Sequence, residues 1–238
     1  MKDFSLQLYS LRDIPTLRER LQIAADTGYT GVEFCGYEDI PADEMKSILA
    51  FLGLRPTGSH ISQEALQADL HGCIAYAKQL GITSVTCPWI VMQTAEDAVK
   101  AAAFLEDCAV QFKAAGIPFA YHNHHHEFTM ADGKYLLEIL MENAPTLGFE
   151  LDVFWASYAG VDPIAFIRKH AGRFLLLHFK EINPQRENVE LGKGVLDFKE
   201  IARVGLEQGT QELIVEQEAY TLPPAESVKV DADYMKAL

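Results

Sequence analysis

Short apolar runs alternate along this chain with longer stretches in which apolar residues recur every three or four positions. The extended runs are FSLQLY (Phe4 to Tyr9), GVEFCG (Gly31 to Gly36), RPTGSH (Arg55 to His60), SVTCPW (Ser84 to Trp89), PFAYHN (Pro118 to Asn123), LGFELD (Leu147 to Asp152), FLLLHF (Phe174 to Phe179) and ELIVEQ (Glu212 to Gln217). FLLLHF and ELIV are near-continuously apolar, as parallel strands covered on both faces must be. Helical spacing fills the intervals. Ile14 to Thr27 has Pro15 near its first turn and one stripe of Leu17, Leu21, Ala24 and Ala25. Pro41 to Leu52 carries Met45, Ile48, Leu49 and Leu52, and the longer stretches are Ser62 to Leu80 and Thr94 to Ala115. Thr94 precedes Glu96 and Asp97, a helix cap followed by acidic residues. Gly28, Gly53, Gly81 and Gly116 each fall between a helical stretch and the next extended run, where a left-handed residue ends a helix.

Eight strands alternating with about eight helices predict an α/β chain closed into a (β/α)8 barrel, one domain over residues 1–238. The rival, an open doubly wound sheet, normally carries a glycine-rich loop after its first strand; Tyr9-Ser10-Leu11-Arg12-Asp13 contains no glycine. A net charge of −14 argues against nucleic acid as a partner, because phosphate contacts need clustered lysine and arginine. No apolar stretch approaches the ~18 residues of a membrane helix, and FSLQLYSL does not read as a secretion signal. The expectation is a soluble cytoplasmic protein with no membrane partner. Cys35, Cys73, Cys87 and Cys108 form no CxxC pair, which speaks against structural zinc and offers no disulfide framework. They read as small buried hydrophobes, with Cys35 and Cys87 placed at strand ends where a pocket wall would lie.

The chemistry gathers at four strand ends: Tyr121-His122-Asn123-His124-His125-His126-Glu127, Glu150-Leu151-Asp152, Leu177-His178-Phe179-Lys180 and Val215-Glu216-Gln217-Glu218. A barrel of this kind brings such ends together in one pocket at its carboxyl-terminal face. Alternation puts His122 with His124, His178 with Lys180, and Glu216 with Glu218 on shared faces. Each has a bland reading when taken singly: a hydrogen-bonded structural histidine for His60, a turn cap for Asp152, a solvated loop for His124 to His126. Asp152, His178 and Glu216 ending consecutive apolar runs make accident a poor explanation. Imidazole with carboxylate suits Mn²⁺, Co²⁺, Zn²⁺ or Fe²⁺, and also admits Mg²⁺.

The segments YHNHHHEF, ELDVFWASYAGVDP, LLHFKE, ELGKGVLDFKEI and IVEQE, with QLYSLRD at the start, resemble the xylose isomerase-like TIM-barrel superfamily. Within it they are most similar to the sugar phosphate isomerase/epimerase group, relatives of inosose isomerases and dehydratases. The resemblance implies one divalent ion (Mn²⁺, Co²⁺, Mg²⁺ or Zn²⁺) held by Glu, Asp, His and Glu from four successive strands. Asp152, His178 and Glu216 match three of these. For the first, His122 falls where relatives carry glutamate, and the available glutamate is Glu127. Glu127 is taken as the ligand, with His122 and His124 on the substrate side. Such an ion acidifies a C–H beside a carbonyl and stabilises an enediolate. Glu127 and Glu216 are then the favoured proton-transfer pair, with His122 as a further catalytic group. His60, Glu33, Trp89, His124 and Lys180 are expected substrate contacts; Lys180 reads equally as an ion-pair partner of Glu181 or Glu216.

The expected activity is a metal-dependent isomerase or epimerase acting on a small carbohydrate, with homo-oligomers common among relatives. The alternative is a lyase or dehydratase working on a keto-sugar, keto-glycoside or keto-inositol by the same enolisation. Apurinic-site nucleases share the barrel but add a histidine three residues after the sixth-strand aspartate and an Asp-x-His pair. Here those places read Asp152-Val153-Phe154-Trp155 and Asp197-Phe198-Lys199. A non-catalytic sugar-binding barrel is the remaining alternative, disfavoured by the intact ligands.

Overall fold

Eight parallel strands close on themselves: β1 (Ser5–Gln7), β2 (Gly31–Phe34), β3 (Arg55–His60), β4 (Val85–Cys87), β5 (Phe119–His122), β6 (Gly148–Asp152), β7 (Phe174–Phe179) and β8 (Glu212–Val215). Each pairs with its neighbour in sequence, and β8 returns to β1 through Ser5 opposite Ile214 and Leu6 opposite Val215. The coordinates are a computed structural model and describe Met1 and residues 3–238. Closure eliminates the doubly wound rival, since a closed sheet has no edge and no switch point.

Local chemistry explains the helices. In α1 (Leu17–Thr27) Thr16 and Glu19 form a reciprocal capping box, with Pro15 directly ahead of the cap. The helix α2 spans Ala42–Leu52, and Ser62 caps α3 (Gln63–Leu80). Thr94 with Asp97 makes a second capping box for α4 (Ala95–Ala114). After these come α5 (Leu136–Asn143), α6 (Val153–Tyr158), α7 (Pro163–Lys169), α8 (Phe198–Glu207) and α9 (Pro224–Ala237). Gly28, Gly53 and Gly81 end α1, α2 and α3 with left-handed backbones. No helix among the described residues is long and apolar enough to cross a membrane.

Two packing layers follow from strand alternation. Outward residues meet the helices: Phe119 stacks on Phe112 of α4 at 4.9 Å, and Phe179 packs on Phe198 of α8 at the same separation. The inward positions of β7 and β6 hold His178, Asp152 and Glu150. This barrel interior is polar at its carboxyl-terminal half, whereas the apolar core lies between strands and helices. The first strand is shorter than its apolar run because Gln7 Oε1 accepts the Tyr9 N–H at 3.0 Å and turns the chain into a 3-10 helix over Leu8–Leu11. Two short hairpins, Met130–Ala131 with Lys134–Tyr135 and Glu181–Ile182 with Asn188–Val189, were not foreseen from the pattern.

Candidate metal centre

His122 is the last residue of β5, Asp152 the last of β6, His178 the fifth of β7, and Glu216 follows the last of β8. Parallel pairing brings these four ends side by side; Asp152 lies opposite His178 in register. Each of the four offers a ligand atom within 4.8 Å of the others. His122 Nε2 is 3.6 Å from Asp152 Oδ2, and His178 Nδ1 is 3.4 Å from Glu216 Oε2.

The orientation of each side chain has a local cause. Asp152 Oδ1 accepts the Trp155 N–H at 3.0 Å and so caps α6, which leaves Oδ2 turned into the barrel mouth. Asn123 Oδ1 accepts the Asp152 N–H at 3.1 Å and ties the end of β5 to that of β6. Both ring nitrogens of His122, Asp152 Oδ2, His178 Nδ1 and Glu216 Oε2 are buried without a hydrogen-bond partner. Five orphaned polar atoms on four convergent side chains would be costly in a water-free interior unless something answers them. Two imidazoles and two carboxylates at that spacing fit a divalent transition ion.

Lys180, fully buried, adds a fixed positive charge beside this group. Its Nζ lies 2.5 Å from Glu218 Oε2, 3.5 Å from Glu216 Oε2 and 3.9 Å from Asp152 Oδ2, over the Trp155 ring at 4.7 Å. Burial pushes the Asp152 carboxyl up to about 6, against the pull of Lys180. Burial also works to raise Glu216, but Lys180 and His178 outweigh it and hold that carboxyl well below its usual range. His122 and His124 are held neutral: burial lowers both, and each has a neighbouring imidazole that lowers it further.

Immediately below lies a second group, Glu33, His60, Glu150 and His178, also within 4.8 Å of one another. Its members bond each other, with Glu33 Oε1 and Glu150 Oε1 left without a hydrogen-bond partner. Glu33 Oε2 accepts from Gln7 Nε2 at 2.8 Å and lies 2.8 Å from His178 Nε2; Glu150 Oε2 lies 2.7 Å from His60 Nε2. Glu150 Oε1 is 3.2 Å from His178 Nε2. Burial opposes ionisation of Glu150, yet the two flanking imidazoles keep it charged, while burial and that charge push Glu33 up.

A cavity of about 390 Å³ opens above the upper group, lined by Tyr9, Cys35, His60, Trp89, His122, His124, Glu216 and Glu218 among others. Trp89 forms an aromatic wall against the His124 ring at 4.6 Å. Cys35 reaches the wall and Cys87 stays buried behind it.

Three expectations change. Glu127 does not join Asp152, His178 and Glu216: it sits on a 3-10 turn over His126–Phe128, where its carboxylate accepts from Tyr121 Oη at 2.5 Å and from the His124 N–H at 2.8 Å. Those bonds hold it away from the ligand group and off the cavity wall, so neither its ligand nor its proton-transfer assignment is supported by its position. His122 stands in its place. Glu33 does not line the cavity, because it points into the layer beneath. Lys180 is likewise screened from the cavity; its closest acid is Glu218, whereas the Glu181 carboxylate accepts backbone N–H groups of Gly192, Val195 and Leu196 elsewhere. Glu150 and Glu218, which the sequence pattern places in the strand-end groups without a role, also belong to the site; each lies two residues from a predicted ligand on the same strand face.

The closed parallel barrel defines a class of fold, and sequence places the chain within it. The family profile for the xylose isomerase-like TIM barrel matches residues 21–238, so the chain belongs to that family. Among solved structures it is similar to a sugar phosphate isomerase/epimerase from Parabacteroides distasonis ATCC 8503, at 24% identity and a TM-score of 0.86, covering 100% of this chain and 99% of that one. It is also similar to the IolI protein with a bound zinc atom, at 14% identity, TM-score 0.79 and coverages of 99% and 97%. A third likeness is to the probable 3-DHS dehydratase AsbF from Bacillus anthracis, at 14% identity, TM-score 0.78 and 98% of each chain. No curated protein matches the chain in sequence.

Proposed function

We propose that this protein is a divalent-metal-dependent isomerase or epimerase of a small carbohydrate, with His122, Asp152, His178 and Glu216 as the metal ligands. The observation that carries the reading is the convergence of orphaned ligand atoms from these four residues, two of which, His122 and Glu216, line the cavity. A divalent ion there would supply Lewis acidity toward a carbonyl and its neighbouring hydroxyl, making the adjacent C–H easier to ionise. The remaining work belongs to the chain. Glu216, held ionised, is the proton acceptor on the β8 side. His124, held neutral and with Nδ1 free of any hydrogen bond, offers a hydrogen-bonding partner to a substrate hydroxyl from the β5 side. Lys180 keeps Glu216 charged without reaching the substrate, and it holds Glu218 by an ion pair although burial and the Glu216 charge push that carboxyl up. Trp89 gives one face of the sugar ring an apolar surface and shields the site from water.

Among the described residues lining the cavity there is no lysine or arginine, and two are glutamates. A phosphate would meet repulsion on that wall, so the substrate class is an uncharged sugar, polyol or glycoside. Incubating manganese- or cobalt-loaded protein with ketoses and keto-inositols in D₂O tests the reading. Deuterium fixed at carbon in an isomeric product is expected; no exchange with any member of either series would overturn it.

A lyase is the second reading, favoured by the barrel shared with a dehydratase. The same C–H ionisation expels a group β to the carbonyl when one is present. Release of water or an aglycone from a keto-glycoside, without an isomeric product, would select it.

A further inference from the structure

The two histidine-carboxylate groups share one residue, His178, and use its two nitrogens differently. Nε2 faces down, 2.8 Å from Glu33 Oε2 and 3.2 Å from Glu150 Oε1. Nδ1 faces up, unbonded, toward Glu216 and the other orphaned atoms. We infer that Glu33 and Glu150 are positioning residues that hold a proton on His178 Nε2 and thereby present Nδ1 to the metal. The inference rests on the metal site proposed above and adds which nitrogen binds and what decides it.

Three observations carry it. Both carboxylates come from rigid strands, β2 and β6, and both are fully buried, so neither can swing to another partner. Gln7 Nε2 donates to Glu33 and His60 Nε2 lies against Glu150 Oε2, so each acceptor is itself oriented. The imidazole has the Glu33 carboxylate hydrogen-bonded to one nitrogen, with the Glu150 carboxylate 3.2 Å from the same nitrogen, and metal-competent neighbours on the other, the arrangement by which an outer carboxylate fixes a ligand's tautomer. The lower group is not a second cation site of equal standing. Its two histidine nitrogens already meet carboxylate oxygens at 2.7 and 2.8 Å, and a metal would have to displace those bonds.

The test needs no variant for its main arm. Long-range ¹H–¹⁵N correlation of the histidine rings, recorded on the full-length protein during a Zn²⁺ titration, reads the state of both nitrogens of His178, assigned by loss of its signals in His178→Asn. The expected spectrum keeps the proton on Nε2 and shifts Nδ1 on metal binding. Coordination through Nε2 overturns this inference alone; no histidine nitrogen responding to Zn²⁺ overturns it together with the metal site. In a second arm, Glu33→Gln and Glu150→Gln should each weaken Zn²⁺ binding about 10–100-fold and alter the visible spectrum of the Co²⁺ form. Wild-type affinity and spectrum in both folded variants would contradict the assignment.

Discussion

The interior of this barrel holds two stacked layers of histidines and carboxylates with nearly the same composition and different bonding. In the lower layer Glu33, Glu150, His60 and Gln7 bond one another and His178 at 2.7 to 2.8 Å, leaving Glu33 Oε1 and Glu150 Oε1 without a partner. In the upper layer His122, Asp152, His178 and Glu216 converge as closely, yet each leaves a polar atom with no partner. Burial is nearly equal in the two, so it does not separate them. The pattern of bonding does: the lower layer is knit by hydrogen bonds among its own members, whereas the upper atoms converge without bonding one another. A buried network bonded to itself stiffens a fold, while convergent atoms without partners suit a cation.

Substitutions in the two layers should therefore move stability and metal binding in different directions. The largest effect belongs to the upper layer: His122→Leu should weaken Zn²⁺ or Mn²⁺ binding by more than the ~100-fold associated with outer partners. It should leave the metal-free melting temperature unchanged or raised, because it removes two orphaned nitrogens. Titration calorimetry and thermal melts of the metal-free protein check both halves. In the lower layer, Glu150→Gln should instead destabilise the metal-free protein by about 3 kcal/mol, since it strips the charge that both His60 and His178 face. Denaturant midpoints measure this, and a wild-type value would erase the distinction between layers.

Glu127→Gln separates structural from metal-binding acid. It should cost about 1–3 kcal/mol, because one of its two acceptor contacts, to Tyr121 Oη or the His124 N–H, is replaced by a donor. Metal affinity should stay at the wild-type level. A collapse of affinity in this variant would restore Glu127 as a ligand.

Asp231, on α9 outside both layers, sharpens the comparison further. Its Oδ2 is also buried without a partner, but it belongs to no convergent group, and burial pushes its carboxyl up to about 8. Because the folded-state value lies above the unfolded one, near 4, its contribution is complete below that pH and is lost as pH rises toward 8. Asp231→Asn should flatten that decline, by no more than about 1.4 kcal/mol per pH unit, and should not alter Zn²⁺ binding. Equal pH slopes in the variant and the wild type would contradict this.

The strands were legible because buried parallel strands are apolar and because Gly28, Gly53 and Gly81 punctuate the helices before them. Asp152, His178 and Glu216 were legible for a related reason: polar residues ending apolar strands have one common destination in a closed barrel. The structure brings His122, and not Glu127, beside Asp152, His178 and Glu216, because register and not residue type decides which side chain faces inward. His122 closes β5 on the inward face, while Glu127 lies on a turn whose direction is set by a bond to Tyr121. No local pattern in the sequence announces that bond. Glu33 lies off the cavity wall for a different reason, since its height along β2 puts it beneath the cavity. Height depends on the stagger of the closed sheet, including the register shift between Val32 and Glu33, which appears only in three dimensions.

The most direct measurement is anomalous diffraction at the absorption edge of Zn²⁺ or Mn²⁺ from crystals of the metal-loaded protein. One peak is expected about 2.0–2.3 Å from His122, Asp152, His178 and Glu216 together. A peak bound by Glu127 in place of His122, a peak within the Glu33–His60–Glu150 layer, or no ordered ion at the barrel mouth would contradict the account.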